Sequence, residues 1–131
     1  MREIKFRAWD LDTQDRMYSW DEIKLHFNEH LEHERVVTMQ FTGLKDKNGK
    51  EIYEGDLIKK KFKDREIGEF YAIGEVVYGY WYAGFTVPYN YHGYKKLERL
   101  SNSFDKDGWV VANRDMEVIG NIYENPELIK D

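Results

Sequence analysis

Asn48-Gly49, set between two stretches of strand period, restricts the fold of this chain more than any other feature. Upstream, Val37, Met39 and Phe41 alternate with Thr38, Gln40 and Thr42; downstream, Glu51-Ile52-Tyr53 runs back. Successive strand residues point to opposite faces, so an apolar period of two describes a strand with one buried side. Asn and Gly both tolerate positive φ, and the pair predicts a type I′ hairpin turn. The centre of the chain is therefore an antiparallel sheet.

The flanks carry the same signal. Ile4 to Trp9 alternates apolar and charged residues, as a half-buried strand does, and Met17-Tyr18-Ser19-Trp20 can return beside it. Glu54-Gly55 bends the chain into a strand over 56–62, followed by strand-like runs over 69–78, 84–87, 109–112 and 117–123, with Gly74, Gly79 and Gly84 as candidate bulges or corners. Ser19-Trp20-Asp21-Glu22 fits a capping box that opens a short helix with Ile23, Phe27 and Leu31 along one side. Leu97, Leu100 and Phe104 fit a second short helix, and Asn125-Pro126 starts a last helical turn. The expectation is a mainly β fold, a small curled sheet or barrel-like structure with one to three short helices. No repeat or linker divides the 131 residues, so a single domain over 1–131 is expected.

Composition removes several function classes. With no cysteine, disulfides, thiolate metal sites and cysteine nucleophiles are excluded. The Met1–Lys5 segment lacks the apolar stretch of a signal peptide, and no apolar run reaches the roughly 20 residues of a membrane helix. A cytoplasmic protein without membrane contact is expected. A net charge of −5 opposes general attraction to nucleic acid.

Three blocks carry a family resemblance. They are Arg2-Glu3-Ile4-Lys5-Phe6-Arg7-Ala8-Trp9-Asp10 with Met17-Tyr18, the stretch from Gln40 to Asp56 (QFTGLKDKNGKEIYEGD), and the close from Glu117 to Leu128 (EVIGNIYENPEL). Together they resemble the YopX family of small proteins from phages and prophages of Gram-positive bacteria. The resemblance touches both ends and the middle, and lapses over about 21–35 and 62–103. It implies a mostly β, barrel-like fold and a phage origin, and it implies no activity. Its residues also have folding reasons: Asn48-Gly49 closes a hairpin, Gly55 permits a bend, Asp56 can accept from backbone N–H groups of that turn, and Gly120 leaves room for another backbone.

Candidate chemistry is sparse. The stretch from Gly43 to Lys50 superficially resembles a phosphate-binding loop, but it has one residue too many before Gly49-Lys50. Glu51 also stands where a Mg²⁺-binding Ser or Thr belongs. His26, His30 and His33 fall on one side of a continuous helix and raise Zn²⁺ or Ni²⁺ binding; a solvated Glu-rich helix face explains them better, and no metal is assigned. Lys59, Lys60, Lys61, Lys63 and Arg65 form a basic run, suited either to phosphates or to protecting a sheet edge. The tract from Tyr78 to Tyr94 is the densest in aromatics, more than one wet-faced strand can bury.

The sequence assigns no catalytic residue and no cofactor, and a non-enzyme is expected. The leading expectation is a phage or prophage accessory protein that binds an unidentified phage or host protein, or itself, through Tyr80, Trp81, Tyr82 and Tyr91. The runner-up is a single-strand nucleic-acid-binding module that combines Lys59 and Lys61 of the 59–65 run with the 78–94 aromatics.

Overall fold

The computed structural model describes residues 3–64, 68–78, 85–87, 109–110 and 116–129. Ten strands occur there: β1 (Phe6–Asp10), β2 (Met17–Tyr18), β3 (Val36–Lys45), β4 (Glu51–Tyr53), β5 (Asp56–Asp64), β6 (Gly68–Glu75), β7 (Val77–Tyr78), β8 (Phe85–Val87), β9 (Trp109–Val110) and β10 (Met116–Asn121). They form a four-stranded sheet in the order β2-β1-β3-β4 and two three-stranded sheets, β10-β5-β6 and β7-β8-β9. Every pairing is antiparallel. The fold is mainly β, and its four-stranded sheet curls into a half-barrel.

Helices α1 (Trp20–Ile23) and α2 (Phe27–Glu32) are separated by a 3₁₀ turn over Lys24–His26. The Glu22 carboxylate accepts from the Ser19 N–H at 3.0 Å, which anchors the start. Phe27 stacks on Phe6 of β1 with ring centroids 4.6 Å apart, and Trp20 meets the edge of Phe27. Ile23 is buried, but Leu31 is 55% exposed, because the 3₁₀ turn rotates α2 away from the single apolar side that the periodicity predicts. The helix predicted around Leu97 to Phe104 lies outside the described residues.

The central hairpin forms, with a different turn from the predicted one. Asn48 keeps a negative φ and only Gly49 is left-handed, at +84°. The Asp46 carbonyl accepts from Gly49 N–H at 3.0 Å, while Asp46 Oδ1 accepts from Asn48 N–H at 2.8 Å and Lys50 N–H at 2.9 Å. These bonds hold 46–48 in right-handed turn geometry and leave the positive φ to Gly49, giving a three-residue loop with a bulge.

β1 also departs from expectation. Its charged face is covered, as is Lys5 just before it: the side chains of Lys5 and Arg7 are 16% and 12% exposed. The helices cover one side of β1 and the β10-β5-β6 sheet approaches the other. Ile52, Leu57, Ile58, Val76 and Met116, all essentially inaccessible, belong to the core.

Candidate functional site

The two larger sheets meet at Gly55. Its φ of +81° turns β4 into β5, and its backbone joins two further segments. Gly55 N–H donates to the Val76 carbonyl at 2.9 Å, at the end of β6, and its own carbonyl accepts from Ile122 N–H at 3.0 Å, just past β10. The φ calls for glycine, and a Cβ here would also sit tightly, 3.1 Å from Met39 Sδ.

A buried ion pair supports this joint. Arg7 Nη2 of β1 lies 2.8 Å from Asp56 Oδ1 at the start of β5. Asp56 Oδ2 accepts from Tyr53 N–H at 2.7 Å, and Arg7 also donates to the Glu54 carbonyl at 3.1 Å and covers the Tyr53 ring at 4.8 Å. Burial holds the Asp56 carboxyl above its ordinary value, with Arg7 pulling the other way. Asp46 is different. Burial alone would raise it, but the N–H groups of Val118, Lys50 and Asn48 stabilise the anion and bring it below the usual range. The bond from Val118 N–H to Asp46 Oδ2, 2.9 Å long, ties the hairpin turn to β10.

Beside Gly55 an open groove of about 240 Å³ runs between the sheets. Val37 and Met39 form one wall, Val76 and Val77 another, and Ile122 and Tyr123 a third. Its charged lining residues are Glu54 and Glu75, both acidic. Glu54 is positioned by Gln40, whose N–H donates to Glu54 Oε1 at 2.8 Å. Tyr123 stacks on Trp9 with centroids 5.8 Å apart, and burial followed by the charge of Glu75 pushes its hydroxyl pKa up. Asn121 sets its backbone, accepting from the N–H groups of Tyr123 and Glu124. The groove thus combines a mixed lining of apolar and polar groups, a tyrosine kept in its neutral form and two carboxylates.

Of the binding residues expected from sequence, Tyr80, Trp81, Tyr82 and Tyr91 lie outside the described residues. Lys59 and Lys61 lie on one face of β5, two residues apart. Lys59 Nζ sits 4.3 Å from the centre of the Tyr71 ring, and Lys61 Nζ is 2.9 Å from Glu69. The histidines are not brought together. His26 sits at the break between the helices and His33 has extended backbone beyond α2, where its Nδ1 accepts from Arg35 N–H. Among the described residues no three metal-ligating side chains converge. No helix among them is long and apolar enough to cross a membrane.

Sequence reasoning missed the groove, because Val37, Glu54, Glu75 and Tyr123 come from separate segments with no spacing in common. The available signal was Arg7 on the same strand face as Trp9, a cation where a second apolar position fits, which marks a buried partner.

The comparisons with known proteins agree with this architecture. The fold is similar to that of protein EF1440 from Enterococcus faecalis, known from a crystal structure, with a TM-score of 0.57 and 26% identity over 99% of this chain and 100% of that one. No curated protein matches the sequence. The family described as YopX protein matches residues 5–130. With nearly the whole chain covered and the half-barrel in place, this protein belongs to the YopX family.

Proposed function

We propose that this protein is a non-catalytic phage or prophage accessory protein that acts in the host cytoplasm by binding another protein. The observation that carries the reading is the groove beside Gly55, a solvent-open trough of mixed apolar and polar lining that includes two acidic residues. Such a mixture of apolar and polar surface is ordinary for a recognition surface between proteins. Val77 lines the groove and stands three residues before Tyr80 in the sequence. The family-like residues support a division of labour: the side chains of Asp46 and Asp56 and the backbone of Gly55 are occupied in holding turns and sheets, which leaves recognition to the surface around them.

The test is cross-linking of the tagged full-length protein in infected cells, followed by binding measurements with the captured protein. A defined protein partner whose affinity falls at least roughly tenfold on Trp81→Ala, with little response to salt, is expected. A second reading, single-strand nucleic-acid binding, draws on Lys59 packed against the half-exposed Tyr71. Recovery of oligonucleotides instead, with affinity falling steeply as salt rises, would overturn the protein-binding reading in its favour.

A further inference from the structure

We infer that Asn48-Gly49 is a site of spontaneous deamidation, and that the isoaspartate it yields loosens the tie between the hairpin turn and β10. Of the seven asparagines in the chain, Asn48 alone precedes glycine. Ring closure needs the backbone nitrogen of the next residue to reach the asparagine Cγ, and glycine has no Cβ to stand in the way. Both residues are exposed at the tip of the hairpin. A Cβ added at Gly49 would meet nothing within 4 Å, so a five-membered ring has room to form there. Asp46 takes the backbone N–H of Asn48, and among the described residues nothing holds the Asn48 carboxamide.

The reaction balances with water alone. Gly49 N attacks Asn48 Cγ as its proton passes to solvent base, and the carboxamide nitrogen leaves as ammonia. The resulting succinimide then takes up one water. Addition at Cγ restores the normal backbone with aspartate at 48, whereas addition at the α-carbonyl routes the backbone through Cβ and Cγ and gives isoaspartate. Either product adds a negative charge. The first step is restrained by the bond from Gly49 N–H to the Asp46 carbonyl at 3.0 Å, which must open, and openings at exposed loop tips cost little.

Isoaspartate acts on a joint. Asp46 Oδ1 accepts from Asn48 N–H at 2.8 Å and from Lys50 N–H at 2.9 Å, one on each side of the altered linkage. An extra methylene in the backbone between those donors keeps one carboxylate oxygen from holding both. Asp46 Oδ2 accepts from Val118 N–H at 2.9 Å, so a loss of grip in the turn reaches β10.

The test is incubation of the purified full chain in warm, mildly alkaline buffer beside a capped peptide of residues 45–50. Peptide mapping by mass spectrometry follows the mass gain, and enzymatic methylation counts isoaspartate. Asn48 is expected to gain about 1 Da at least about threefold faster than Asn102, whose neighbour is serine. The folded chain should react more slowly than the peptide, because its turn must open first. In the isoaspartate form the Val118 amide should exchange with deuterium at least about tenfold faster than in fresh protein. Asn48→Asp, which has the charge on a normal backbone, should stay within about twofold of fresh protein. Unreacted Asn48 after the peptide has been consumed would overturn the inference, as would conversion no faster than at Asn102. An isoaspartate form whose Val118 amide exchanges as slowly as that of fresh protein would sink the link to β10.

Discussion

Arg7 and Asp56 face each other at 2.8 Å across the boundary between the two larger sheets, with only 12% and 2% of their side chains exposed. Arg7 comes from β1 and Asp56 opens β5, so this ion pair links the half-barrel to the sheet that carries β10. The pair is fixed at both ends, because Asp56 also accepts from Tyr53 N–H and Arg7 also donates to the Glu54 carbonyl. The same turn carries Gly55, which makes the pair a support of the groove as well as of the fold.

A buried charge left alone is costlier than a buried pair, which sets the expected mutant pattern. Arg7→Met strands the Asp56 carboxylate and should destabilise by about 3–5 kcal/mol. Asp56→Asn keeps an acceptor for Tyr53 N–H but strands Arg7. The double variant should lose clearly less than the sum of the two, by roughly 1–3 kcal/mol of coupling. Urea denaturation of the four proteins measures this, and strictly additive losses would show that the two side chains act independently.

Asp46 gives the protein an acid-sensitive joint. Three backbone N–H groups favour its ionised form in the folded chain, so its folded pKa lies below the unfolded value of about 3.9. Its stabilising contribution is complete above that unfolded value and is lost as the pH falls toward the folded one. Asp46→Asn should destabilise by about 1–3 kcal/mol at neutral pH and flatten the acid limb of the stability curve. Thermal melts between pH 7 and pH 3 check it; parallel acid limbs in both proteins would rule out Asp46 as the titrating joint.

The mainly β fold was legible because period-two alternation at 37–42 and the Asn48-Gly49 corner are local signals. The turn type was not. Its geometry depends on Asp46, whose carboxylate reaches forward to Asn48 and Lys50 and across 72 positions of sequence to Val118. Covering of both faces of β1 was equally hidden, since Lys5 and Arg7 read as a wet face until Glu51 and Asp56 arrive from elsewhere in the chain. The groove arises only where β3, the Gly55 turn, the end of β6 and the tail of β10 meet. Gly120 shows the same limit at small scale: the neighbour it admits is a side chain, that of Asn125, and not a backbone.

That neighbour yields a sharp test. A Cβ on Gly120 would lie 2.4 Å from Asn125 Oδ1, which accepts from Asn121 N–H at 3.1 Å. Gly120→Ala must therefore displace the carboxamide and free that N–H, at a cost of about 1–3 kcal/mol. Adding Asn125→Gly, which removes the Cβ at 2.9 Å as well, should recover the steric part, so that the double variant is no less stable than Asn125→Gly alone. Chemical denaturation of the three proteins decides it, and a Gly120→Ala protein as stable as the wild type would contradict the contact.

The basic strand makes the last prediction. Lys59 and Lys61 share a face of β5, but neighbouring strands set carboxylates on either side of them. Glu117 of β10 stands opposite Lys59 and lies 3.7 Å from Lys47, and Glu69 of β6 pairs with Lys61. A phosphate chain approaching this face meets alternating charges, so few counterions are released on contact and little affinity is gained. A fluorescent oligothymidine should bind weakly at low salt and change little, about twofold or less, on Lys61→Glu. Anisotropy titrations at 20 and about 200 mM salt measure both. Tight binding that collapses with salt and with Lys61→Glu would show that phosphates outcompete Glu69 for this lysine, and would move the functional surface from the groove to β5.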